Sequence, residues 1–136
     1  MKKKLLLLVA ALSLTGSLQA NSMTVKAELK SNMRAMLSSM EMIQKGGFYA
    51  KPQMMEKGVV QLKQAISLLD SKNAKHYLPK DEKYADKFAA KRAKMIVMYA
   101  DDITSSLKDG NMDDALEDYS QILRQCSSCH LRIRKW

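Results

Sequence analysis

Near its C-terminus the chain reads Cys126-Ser127-Ser128-Cys129-His130. Two thiols three residues apart on a helix lie on one face, and each can add to a vinyl group along the same porphyrin edge. The imidazole that follows the second thiol can then reach the iron from the proximal side. This is the C-x-x-C-H spacing of covalent c-type haem attachment, so Cys126, Cys129 and His130 are candidate ligands for one haem c. Other uses of two thiols fit less well. A thioredoxin-like pair sits at a strand-to-helix junction, and no strand pattern is present. In an oxidising compartment the pair could close as a disulfide. Zinc would need further ligands, and His76 is the only other histidine and is poorly spaced for one.

The first residues read as an export signal. Lys2, Lys3 and Lys4 are followed by the apolar run Leu5–Leu12, and Leu18-Gln19-Ala20 offers a small residue before a cut. Residues 1–20 are thus expected to be a cleaved secretory signal peptide and residues 21–136 the mature domain, placed in the periplasm. The apolar run falls short of the ~20 residues of a bilayer span, and no later segment is apolar enough for one. Cleavage leaves 116 of the 136 residues and lowers the formal net charge from +9 to +6. That length suits one domain. The basic balance is either a solvated surface or a docking face for an acidic redox partner. No block of consecutive basic residues suggests a nucleic-acid arm.

Four stretches carry a helical apolar period and are expected to position the motif. The first runs from about Thr24 to Lys45 with Val25, Leu29, Met33, Met36, Met40 and Ile43 on one face, and Gly46-Gly47 is expected to stop it. The second starts at Pro52 and carries Met55, Val59, Leu62, Ile66 and Leu69, fading at Ser71-Lys72-Asn73 before Pro79. The third is expected to be capped by Asp81 and lined by Tyr84, Phe88, Met95, Tyr99, Ile103 and Leu107, ending at Gly110-Asn111. The fourth opens on Asp113-Asp114 and carries Leu116, Tyr119, Ile122, Leu123 and Cys126 into the motif, with Arg132, Arg134 and Lys135 in its last turn. The expected fold is all-α, an antiparallel up-down-up-down four-helix bundle. Most of the 11 methionines read as core filler.

In that topology the end of the fourth helix meets the start of the first. The residue facing the far side of the iron is then sought among Val25, Leu29 and Met33, with Met23 just before them. Leu29 over the iron leaves it five-coordinate in a dry pocket open to small gases, whereas Met33 supplies a thioether and a six-coordinate electron carrier. The end of the second helix, with His76, comes to the same end, but the neighbours of His76 suggest an exposed loop.

With a haem at the end of the fourth helix, residues 24–136 resemble the cytochrome c prime family, the class II c-type cytochromes, which place C-x-x-C-H close to the C-terminus. Arg124, two before the first cysteine, and Arg134, four after the histidine, match basic positions common in that family. Ile133 departs from its frequent aromatic. Phe88 with Lys91-Arg92-Ala93-Lys94 matches a segment of its third helix, and Leu29-Lys30-Ser31-Asn32-Met33-Arg34 looks like its distal segment. In that register Leu29 takes the distal position, and Met33 lies one turn further on the same face. The resemblance implies a non-enzymatic electron carrier and suggests a homodimer through exposed helix faces.

The expected function is therefore that of a periplasmic monohaem c-type cytochrome that transfers electrons to redox partner proteins. The alternatives are a five-coordinate haem protein that binds NO or CO and, further off, a thiol-disulfide oxidoreductase using Cys126 and Cys129. Arg124 and Arg134 either contact propionates or are plain surface cations, and Phe88 either packs on the porphyrin or fills core. No catalytic constellation is visible. Asp101-Asp102 and Asp113-Asp114 are adjacent pairs whose side chains diverge around a helix, so they read as surface or helix-start charges.

Overall fold

A computed structural model describes residues 2–69, 74–79, 81 and 83–134, with side chains described from Val25 to Ile133. The chain is all-α. Helix α1 spans Lys2–Phe48, α2 Pro52–Ile66, α3 Ala74–Tyr77, α4 Ala85–Lys108 and α5 Met112–Cys129. A 3-10 turn, Ser67–Leu69, extends α2, and a π-helical turn, His130–Arg134, extends α5. The long helices pack in pairs: α1 on α2, α4 on α5 and α2 on α4, with a lighter contact of α1 on α5. Among the described residues no helix is long and apolar enough to cross a membrane.

The periodic residues of α1 and α2 build most of the core. Met36, Met40 and Ile43 on α1 bury against Met55, Val59, Leu62 and Ile66 on α2, with Leu69 just beyond it. Helix α2 starts with Pro52 in its first turn, where a missing N–H costs nothing. Gly58 brings α1 and α2 close together. A Cβ there would lie 2.8 Å from Ile43 Cγ1 and 2.9 Å from the Ser39 carbonyl oxygen, so no larger residue fits without backbone movement. Buried Ser39 satisfies its own hydroxyl by donating to the Ala35 carbonyl at 2.7 Å. Lys63 on α2 and Asp101 on α4 form an ion pair across the second interface.

Several sequence expectations are corrected. Helix α1 neither starts at Thr24 nor stops at Gly46-Gly47: it includes Met23, and both glycines lie buried inside it. Their value is closeness, since a Cβ on Gly46 would sit 2.7 Å from the Met55 nitrogen. The helix ends at Phe48, and a Schellman turn closes it. Lys51 N–H donates to Gly46 O at 2.7 Å and Ala50 N–H to Gly47 O at 3.2 Å. Ala50 takes the left-handed position, φ 50°, that glycine usually fills. Helix α4 ends in the same motif, with Asn111 N–H to Ser106 O at 2.8 Å and Gly110 N–H to Leu107 O at 3.2 Å, and here glycine holds the left-handed place at φ 73°.

The start of α4 also differs from expectation, whereas α5 opens on Asp113-Asp114 as expected. Asp81 does not cap α4, which begins at Ala85 behind a left-handed Tyr84 (φ 65°) and without a side-chain cap. Tyr84 is 56% exposed and does not line the core. The buried row of α4 is Ala89, Ala93, Ile96, Ala100 and Ile103, while Phe88, Met95, Tyr99 and Leu107 are half-buried. Small alanines let α4 lie close to its neighbours, and a search for large apolar residues passes over them. Helix α5 is capped by Asn111, whose side chain accepts from the Asp114 N–H at 3.2 Å. Asp113 and Asp114 occupy its first turn, where carboxylates suit the helix dipole. Leu123 is 42% exposed and lies off the core face. The fading of the second helix at residues 71–73 falls outside the described residues.

Candidate functional site

The motif occupies the last turn of α5. Cys126 and Cys129 are half-buried and unbonded to each other, and His130 is half-buried directly after them. Asn111 fixes the start of α5, and Ala115, Tyr119 and Ile122 anchor its buried face. The two thiols sit in different surroundings. Cys126 packs against the main core together with Leu29 and Met33 of α1. Cys129 packs against a separate small cluster of Ala85, Ala89 and Ile133, joined by half-buried Leu78 and Phe88.

The elements that meet here come from across the chain. Leu78 follows α3, and the neighbouring Tyr77 hydroxyl donates to Glu28 Oε2 of α1 at 2.9 Å. That bond to the carboxylate, with some burial, raises the Tyr77 pKa. The segment after α2 thus bridges α1 and the motif end of α5. His76 is exposed on α3, and among the described residues no three His, Cys, Asp or Glu side chains gather as a metal cluster.

Arg92 of α4 dominates the polar side of this end. Its Nη1 donates to Gln125 Oε1 at 2.7 Å, and Gln125, only 5% exposed, stands directly before Cys126. The Gln125 Nε2 donates in turn to the Gln121 carbonyl at 3.4 Å. The Arg92 guanidinium lies 4.8 Å from the Phe88 ring centre, and that of Arg132 lies 4.5 Å from the same ring. The Arg92 Nε is shut off from water and has no hydrogen-bond partner. Burial pushes both thiols up in pKa. At Cys126 the neighbouring Cys129 adds to this, whereas at Cys129 the Arg92 charge opposes it.

The sequence candidates therefore divide. Cys126, Cys129, His130 and Phe88 share one end of the molecule, and Leu29 and Met33 pack against the same main core as Cys126. Arg124 is exposed, and the Arg134 side chain lies outside the described residues. Gln125 escaped the sequence reading, and Arg92 figured there only as part of a basic run. A signal for Arg92 existed: Phe88 and Arg92 stand four apart on a helix, the spacing of a ring–cation stack. Gln125 gave none, because a glutamine on a helix is ordinarily solvated. An open cleft of about 420 Å³ between α1 and α2, lined by Asn32, Ser38, Ser39, Gln61 and Gln64, contains none of these residues.

The donor set suits a haem. Two unbonded thiols and an imidazole lie in sequence, next to an apolar wall of Leu78, Phe88 and Ile133. Ala85 and Ala89 project little side chain into that wall. The unpartnered Arg92 Nε is a donor without an acceptor, at a place where a buried donor normally has one. No family model, no curated protein and no solved structure matches the chain.

Proposed function

We propose that the chain is a monohaem c-type cytochrome of the cytochrome c prime kind, an exported electron carrier. The observation that carries this reading is the pair of unbonded, half-buried thiols Cys126 and Cys129 with His130 beside them, at the end of a helix flanked by an apolar wall. The up-down-up-down order belongs to the same proposal. It is supported by the short links Tyr49–Lys51 and Asp109–Asn111, each joining helices that pack on one another.

The residues' roles follow from their chemistry. Cys126 and Cys129 would hold the haem through thioether links, each thiol adding its sulfur and its proton across one vinyl group, so that no oxidant would be needed. His130 would supply the imidazole ligand to the iron. A haem so held supplies a one-electron couple at its iron. Phe88, Leu78 and Ile133 exclude water from the attachment edge. A second reading, binding of NO or CO, rests on Leu29, an apolar side chain packed on the same core as Cys126 with no ligating atom.

Denatured protein, produced with haem-maturation machinery, is expected to retain its haem in absorption and mass spectra. Cys126→Ser with Cys129→Ser should remove it. A colourless wild type made in that way would sink the proposal. Ferric and ferrous spectra of Leu29→Ala and Met33→Ala separate the two readings. A spectrum unchanged by Met33→Ala excludes thioether ligation.

A further inference from the structure

Arg92 is an unusual residue to find at this end of the molecule. A half-buried cation ordinarily pairs with a carboxylate, because taking a charge out of water is costly. The contacts of Arg92 are the Gln125 amide oxygen at 2.7 Å, the Met95 sulfur at 4.0 Å and the Phe88 ring. None carries a negative charge. Asp101 and Asp86 form ion pairs elsewhere, with Lys63 and Lys75. Gln125 holds the guanidinium in place and is itself held by the Gln121 carbonyl. Arg132 on the other contact of the Phe88 ring adds a second cation. The contacts of Arg92 among the described residues thus hold its charge in place without supplying a negative one, next to the residue that precedes Cys126.

We infer that Arg92, locked by Gln125 and Phe88, is a potential-setting residue that favours the ferrous over the ferric form of a haem held by Cys126, Cys129 and His130. This rests on the haem reading above. The physical ground is simple. Oxidation leaves one more positive charge at the iron, and a fixed cation in a region poor in water opposes it. Arg92 does this through its charge and takes no part in ligation. It is a positioning residue in the electrostatic sense, and its cost in folding is offset by the amide and ring that hold it.

The test is the midpoint potential of the haem protein, read by spectroelectrochemical titration, in four forms. At the wild-type midpoint, Arg92→Gln is expected to lower the ratio of reduced to oxidised protein about tenfold, the effect of one charge at moderate range. Gln125→Glu neutralises the guanidinium in place and is expected to shift the ratio in the same direction. Arg92→Lys keeps the charge and is expected to stay within about threefold of wild type. If Arg92→Gln and Gln125→Glu both carry covalent haem with the wild-type midpoint, the inference fails and the haem reading stands. If Arg92→Lys falls as far as Arg92→Gln, packing and not charge sets the potential, and the inference fails. Absence of covalent haem from the wild type overturns the haem reading itself, and mass spectra of the denatured protein distinguish that case.

Discussion

The molecule holds two apolar clusters of different character. The main core joins α1, α2, α4 and α5 through sixteen buried residues, among them Ile43, Met55, Leu62, Ile103 and Ile122. Its helix ends are tied off by two Schellman turns, and glycines let backbones touch side chains. The second cluster has only Ala85, Ala89 and Ile133 fully buried. Around it stand the Cys129 thiol, two arginines on one ring and a guanidinium nitrogen with no hydrogen-bond partner. Apolar packing of the first kind stabilises a fold. The second kind leaves apolar and polar groups incompletely used, as sequences tend to do where a rule of packing yields to a site.

Substitutions at the two clusters should separate these roles. The largest expected effect is in the main core. Ile122→Ala should lower unfolding free energy by about 2–5 kcal/mol in urea titration, through lost transfer energy and the cavity left behind. A loss below about 1 kcal/mol would mean that this core is loosely packed. Gly58→Ala should cost about 1–2 kcal/mol, since overpacking against Ser39 and Ile43 outweighs the gain in helix propensity. A stabilised variant would show that α1 and α2 can separate without penalty. Phe88→Ala at the small cluster should cost about 1–2 kcal/mol, as the side chain is only half-buried. It should also alter the visible spectrum of the haem protein, which Gly58→Ala should not.

The helix ends offer a finer test. Gly110→Ala places a Cβ in the left-handed region and should destabilise by about 1 kcal/mol. Ala50→Gly relieves the same strain and should stabilise by a few tenths to about 1 kcal/mol, reduced by the freedom that glycine gains on unfolding. Equal responses in thermal melts would undo the assignment of Ala50 to a strained cap.

The smallest effect concerns Asp118 on α5. Burial raises its pKa, and the charges of Asp102, Glu117 and Asp114 add to the rise. With the folded pKa above the unfolded one, its contribution to stability is complete at low pH and is lost as pH rises through the folded value. Asp118→Asn should therefore stabilise at pH 7 by no more than about 0.5 kcal/mol, since the group is only partly buried and solvent screens its charge. The gain should vanish below about pH 4. A gain that persists in acid would point to something other than charge.

The sequence was legible where large apolar residues recur at helical spacing. All five stripe residues of the second helix are buried. It misled where small residues do the packing. The buried face of α4 is largely alanine, and Gly46-Gly47 serves close approach while Ala50 makes the turn. Propensity names the residue that best tolerates a conformation, and packing decides where that conformation falls. Asp81 shows the same limit, for a good capping residue lies four positions before the helix that it was expected to start. The spacing of Cys126, Cys129 and His130 is a local pattern, visible in the sequence without any tertiary contact. The Arg92–Gln125 bond joins residues 33 positions apart on different helices, and no local pattern announces it.

The two Schellman turns have a kinetic consequence. Each closes a pair of helices that follow one another in the chain, α1 with α2 and α4 with α5. Such contacts span little sequence and need little loop closure, so each hairpin can form early and on its own. Joining the halves, which requires α2 to meet α4 and Leu78 to reach Cys129, spans more chain and comes later. Pulse-labelled hydrogen exchange during refolding should find the amides around Ala50 and Gly110 protected before those of residues 126–130. The thiols would then stay accessible while most of the bundle has already formed.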